Sequence, residues 1–227
     1  MNYLKYLALL ALLLGRWAGA APLDIYVLPY YFSDGQQIRV GTEVGPALQP
    51  LLAAGSTKDL AAARAQVEAD AARVASPALM VLAVRLYDAG QRDEAAFWFY
   101  VAQLRYRLFG LVINRSRADL WAERMAMSAF NEQAGRYLHS YALCDMERWP
   151  KLRTAALDWV LTHPEAALND PSLPGLAADR PALLERARAQ LKLAFDRDNQ
   201  HLLNPTNRQR LRAQFQRQGL DKLLCSP

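Results

Sequence analysis

The side chains able to do chemistry are few and scattered. The three histidines, His139, His163 and His201, stand far apart in the chain. None has a metal-ligating neighbour three or four residues away, apart from Asp198 three before His201, with Asp196 five before it. The densest carboxylates are Glu94 with Asp88 and Asp93, and Asp119 with Glu123. Asp119 and Glu123 are four apart, which places both on one face of a helix. Such a pair can supply the acid and the base for glycan cleavage. Arg117 and Arg124 stand close by, and acids at a helix start serve equally well as partners of the helix dipole. No H-E-x-x-H, G-x-S-x-G, P-loop or dinucleotide fingerprint occurs. No metal site and no cofactor is expected.

Two cysteines, Cys144 and Cys225, are the other reactive groups. In an oxidising compartment they can make one bridge, tying the last residues to the end of a central helix. That bridge would close a loop of about 80 residues, worth about 4 kcal/mol in the chain-entropy account. A Cys-His nucleophile is disfavoured. His139 lies five residues before Cys144, which is not one helical face.

Aromatic residues form the remaining candidates. Phe97-Trp98-Phe99-Tyr100 are consecutive, so on a helix they point about 100° apart. Either this helix is surrounded by others, or Trp98 or Tyr100 is exposed as a binding anchor with Arg105 and Arg107 at its rim. Tyr30 and Tyr31 sit in a second aromatic stretch, Leu23 to Phe32. They belong either to an arm packed over the body or to a contact surface.

These residues must be held by helices. Ser56 with Asp59 is a capping-box pattern opening a helix through Val74. Pro77 suits the first turn of the next helix, which stops at Gly90. Leu79, Leu82, Ala83, Leu86 and Tyr87 recur at helical spacing, the mark of an amphipathic face. Asp93-Glu94 opens a helix to about Val112. One long helix is expected from about Ala118 to Cys144, with Gly135 as a kink or a close crossing. Helices follow over Lys151–Thr162, from Pro181, and after Asn204-Pro205. Ser33-Asp34-Gly35 is a turn signal that makes residues 21–50 an extended arm or short hairpin. The expected fold is all-α, helical hairpins packed as a bundle or short irregular array, with residues 51–227 as the helical domain.

The first 20 residues have the pattern of a secretory signal peptide. Lys5 gives a positive start, Tyr6–Leu14 is apolar, and Ala18-Gly19-Ala20 offers small residues for cleavage before Ala21. The apolar run is shorter than a membrane span needs, and Arg16 interrupts it. After cleavage no stable membrane insertion is expected. The whole chain of 227 residues has a net charge of +5 and is 52% hydrophobic. Such a composition excludes a disordered chain, a collagen or a cysteine-stapled miniprotein. Removing Lys5 and Arg16 lowers the positive excess further. Basic residues of the C-terminal helices alternate with acids and Gln, so no nucleic-acid partner is expected.

Residues 78–106 resemble one unit of the tetratricopeptide or Sel1-like helical repeats. The matching residues are Tyr87, Gly90 in the turn, Glu94-Ala95, and Trp98, Phe99 and Ala102. The resemblance implies a helical hairpin used as a scaffold for protein recognition. In overall character the chain is also similar to small exported helical proteins found beside bacterial secretion-system toxins, some of them periplasmic immunity proteins. The function expected is periplasmic, non-enzymatic binding of a protein partner, as inhibitor or immunity protein. The alternatives are an envelope hydrolase acting on peptidoglycan, and a structural envelope protein without a discrete site.

Overall fold

A computed structural model describes residues 25–33, 37–219, 221 and 225. The expected signal peptide and most of the Ser33-Asp34-Gly35 turn lie outside the described residues. The fold is mostly helical, with a small β element at its N-terminal end.

Three short strands, β1 (Tyr26–Val27), β2 (Tyr31–Ser33) and β3 (Ile38–Val40), form an antiparallel sheet in chain order. Tyr26 faces Phe32 across the first pair, and Phe32 faces Arg39 across the second. The expected short hairpin thus has one strand more. Nine α-helices follow among the described residues. They are α1 (Gln49–Ala54), α2 (Thr57–Ala69), α3 (Ser76–Asp88), α4 (Arg92–Val112) and α5 (Trp121–Ala129). Then come α6 (Gly135–Leu143), α7 (Arg148–Thr162), α8 (Arg180–Leu203) and α9 (Pro205–Arg217).

Helix starts follow local chemistry. The capping box opens α2: the Ser56 hydroxyl accepts from the Asp59 amide, and the Asp59 carboxylate accepts from the Ser56 amide. Asp179 accepts from the Ala182 amide at the start of α8, and Asn204 from the Thr206 and Asn207 amides at the start of α9. Each cap satisfies donors that the first helical turn leaves unpaired.

The core is the hairpin of α3 and α4. Every residue from Ser76 to Tyr87 is buried, so α3 is enclosed on all sides rather than amphipathic. Its one buried cation, Arg85, bonds through Nε and Nη1. Arg85 Nε donates to the Leu52 carbonyl at 2.9 Å, and Nη1 faces both the Tyr31 hydroxyl at 3.4 Å and Asp88 at 3.5 Å. The Tyr31 hydroxyl donates to Asp88 Oδ2 at 2.7 Å. This network fastens the sheet and α1 to the end of α3. Gly55 makes it possible. Its φ is +65°, and a Cβ there would overlap the Arg85 guanidinium.

The expected helix over 118–144 is present as an unbroken helical run from Trp121 to Leu143, with a π turn inside it that was not expected. A 3₁₀ turn (Ala118–Leu120) precedes α5, and a π turn (Phe130–Ala134) separates α5 from α6. The wider turn lets Phe130 and Ala134, both fully buried, face the core before Leu138 takes over. Gly135 is the expected close crossing. A Cβ there would lie 3.3 Å from Phe99 Cζ of α4.

The C-terminal end is tied back by a Cys144–Cys225 disulfide, as the two cysteines suggested. Helix α9 needs the tie, because Phe215 is its one buried side chain. Among the described residues no helix is long and apolar enough to cross a membrane.

Candidate functional site

Among the described residues a wide concavity runs over α4, the π turn, α6, α7, α8 and α9. Its volume is about 1000 Å³ and it is open to solvent. Its floor consists of Phe99, Tyr100 and Trp149, all buried, so these rings show solvent little of their surface. Leu202 and Leu211 stand half-buried at its side.

Its charge is unbalanced. Arg107, Arg136, Arg153 and Arg197 line it, against the single carboxylate of Asp198. Asp198 lies 3.8 Å from Arg107 Nη1 and 3.9 Å from Arg153 Nη2, beyond hydrogen-bond distance of both. Arg136 and Arg197 are exposed and have no ion-pair partner among the described residues. Arg153 is held rigidly, between the Trp149 ring at 5.5 Å and the Phe195 ring at 4.9 Å. Its Nη1 donates to Asn199 Oδ1 at 2.9 Å. Such stacking favours Arg over Lys.

A hydrogen-bond chain fixes one further group. The Trp149 indole can only donate, and it donates to the Tyr100 hydroxyl at 2.7 Å. Tyr100 then has one proton left, and His139 Nδ1 lies 2.9 Å away to accept it. The neutral His139 ring therefore carries its own proton on Nε2. His139 is exposed overall, but its inner edge packs against Tyr100 and Trp149. Burial of that edge, with the Arg153 charge adding to it, holds the imidazole below its ordinary range and keeps it neutral.

A second concavity beside the disulfide differs in charge. There Arg148 bridges Asp93 at 2.9 Å, and Tyr141 donates to the same Asp93. Arg92 and Arg148 lie over the Tyr141 ring. Two arginines, Arg92 and Arg148, there stand against three carboxylates, Asp93, Glu94 and Asp145, so it lacks the cationic excess of the first.

The sequence-predicted contact residues are mostly internal. Trp98 is buried edge-on against Trp159, with ring centroids 5.3 Å apart. Tyr100 is buried in the hydrogen-bond chain, and Tyr31 in the Arg85 network. Tyr30 is half-buried against Phe130. As exposed anchors Trp98, Tyr100 and Tyr31 are therefore corrected, and the surrounded-helix reading of the aromatic run describes α4. Arg105 is corrected too. It is 1% exposed and donates to the carbonyls of Val74, Ala71 and His163 at 3.0, 2.6 and 3.1 Å. It is a cross-brace between α4, the 3₁₀ turn after α2 (Ala71–Arg73) with its cap Val74, and the C-terminal cap of α7 at His163. Arg107, its neighbour, does reach the groove.

Asp119 and Glu123 are not brought into the groove. Asp119 is exposed and paired with Arg117 at 2.5 Å, which holds its carboxyl below the usual range. Glu123 is half-buried, and burial pushes its carboxyl up. Among the described residues no three His, Cys, Asp or Glu side chains gather as a metal-holding group.

One buried acid accompanies Arg105. Glu165 Oε2 lies 3.6 Å from Arg105 Nε. Burial presses both groups towards neutrality, and a guanidinium stays protonated, so the carboxyl is the group that titrates. Burial pushes Glu165 up to about 7 from 4.5, against the opposing pull of Arg105. The folded state thus holds the proton to higher pH than the unfolded chain. Stability contributed by Glu165 is complete below about 4.5 and is lost as pH rises through about 7. The Tm of wild type minus that of Glu165→Gln should fall between pH 5 and 8. A difference that is flat or rises with pH contradicts this assignment.

Arg136, Arg153, Arg197 and Asn131 escaped the sequence reading. The available signal was spacing: Trp149 with Arg153, and Arg197 with His201, are i,i+4 pairs that share a helix face.

No family model matches the chain. The chain is 26% identical over 203 residues to an uncharacterized protein of Haemophilus influenzae. That alignment covers 89% of this chain and 78% of the other. No solved structure matches.

Proposed function

We propose that this is an exported, non-enzymatic binding protein that holds a partner protein in the arginine-lined groove. Its role is that of an inhibitor or immunity protein for an envelope-acting toxin or enzyme. One observation carries the reading: an open concavity of about 1000 Å³ in which four guanidinium groups face one carboxylate. Partners of opposite charge are steered to such a surface. The signal-like N-terminus and the disulfide support export to an oxidising compartment. The α3–α4 hairpin, with Tyr87, Gly90, Ala95 and Trp98 at the repeat-like positions, supports a scaffold role.

The test is capture from an envelope extract of the source cells. The oxidised protein is expected to retain a specific partner, and Arg136→Glu/Arg197→Glu is expected to lose it. Equal retention by both proteins, or retention of none, contradicts the reading. Export is checked by N-terminal sequencing of the protein from a periplasmic fraction, which should begin at Ala21. A cytosolic protein that keeps residues 1–20 contradicts export.

A further inference from the structure

We propose that the groove recognises its partner through an extended acidic peptide segment, with Glu or Asp carboxylates on the arginines. This rests on the protein-binding reading above and names the element that is bound.

Three observations lead to it. The first is the donor character of the lining. Arg136 and Arg197 are exposed cations without ion-pair partners among the described residues. His139 adds the Nε2 proton that the Trp149–Tyr100–His139 chain leaves on its outer nitrogen. Arginine matches a carboxylate with two parallel hydrogen bonds.

The second is a pair of side-chain amides in the same lining. Gln103 Nε2 donates to Asn131 Oδ1 at 2.8 Å. That bond leaves the Gln103 carbonyl as acceptor and the Asn131 amide as donor. An acceptor beside a donor is the complement of the N–H and C=O of one residue in an extended backbone, which point to the same side.

The third is what the floor withholds. Phe99, Tyr100 and Trp149 are each at most 4% exposed. A single-stranded nucleic acid needs open rings for its bases to stack on, and these offer none. The apolar contact on offer is the half-buried pair Leu202 and Leu211, enough for one apolar side chain of a peptide.

The experiment uses fluorescein-labelled Gly-Glu-Leu-Glu-Phe-Glu-Gly and its Gln-for-Glu counterpart, with binding read by fluorescence anisotropy. Saturable binding of the Glu peptide is expected, weakened about tenfold or more in the Gln peptide and in Arg136→Glu/Arg197→Glu. Both replaced arginines are exposed, so the variant should keep the wild-type Tm. Arg136→Gln/Arg197→Gln gives an intermediate affinity if charge is the cause, and serves if the reversed variant does not fold. Equal binding of the two peptides, no binding, or tighter binding of a dT12 oligonucleotide at matched ionic strength overturns the proposal. The protein-binding reading is judged separately. It survives loss of the peptide result if the captured envelope partner is still released by the groove variant.

Discussion

Arg105→Ala should destabilise the fold by about 3–5 kcal/mol, the cost of breaking a buried charge pair from one side. Three carbonyls, those of Ala71, Val74 and His163, lose their side-chain donor at once. Glu165 is left buried without its countercharge, and Trp159 loses the guanidinium over its ring at 5.3 Å. Urea unfolding followed by far-UV circular dichroism reads the loss. The partners should also be coupled. With Arg105 already replaced, Glu165→Gln should recover part of the stability at pH 8, because it removes the uncompensated carboxylate. A loss below about 1 kcal/mol for Arg105→Ala would place the side chain outside the brace, in the range of ordinary surface changes.

Reduction of the disulfide has the second largest expected effect. Cys144 and Cys225 are 81 residues apart, so the bridge removes much freedom from the unfolded chain. The chain-entropy account gives about 4 kcal/mol for a loop of that size. For a chain of about 200 residues this corresponds to a fall in Tm of about 8–16 °C. The folded state adds a local effect. Helix α9 buries only Phe215; its other ties are the half-buried Leu211, the Arg208–Glu147 ion pair at 2.7 Å and side-chain bonds from Asn207 and Arg208 to the end of α8. Reduction or Cys225→Ser should therefore raise amide exchange in α9 well before α3 or α4 opens. Since α9 supplies Leu211 to the groove, peptide affinity should weaken with it. An unchanged Tm in a sample whose thiols titrate as free would contradict the structural role of the bridge.

Helix punctuation was legible because it is local. Ser56 and Asn204 act on amides within a few residues of themselves, and Pro77 fixes its own backbone at a first turn. The cysteine pair was legible because two thiols have one possible partner each. The π turn at Phe130–Ala134 was not. Nothing in its composition departs from a helix, and its cause is the distant fit of Phe130 and Gly135 against the core. Arg105 was misplaced for a related reason. An arginine following an aromatic run looks like a rim when the carbonyls that enclose it lie on two other segments. The groove was hidden in the same way. Its arginines come from four helices, each unremarkable alone, and their excess over Asp198 exists only once α4, α6, α7 and α8 are packed.

The groove as the partner's seat is most directly tested by site-specific photo-crosslinking in living cells. The crosslinker is placed at Arg136, exposed on the groove, and separately at Lys58, exposed on α2 and outside it. The account predicts one discrete crosslinked partner from position 136, and none from position 58. Crosslinking of the same partner from position 58 but not from position 136 would contradict it.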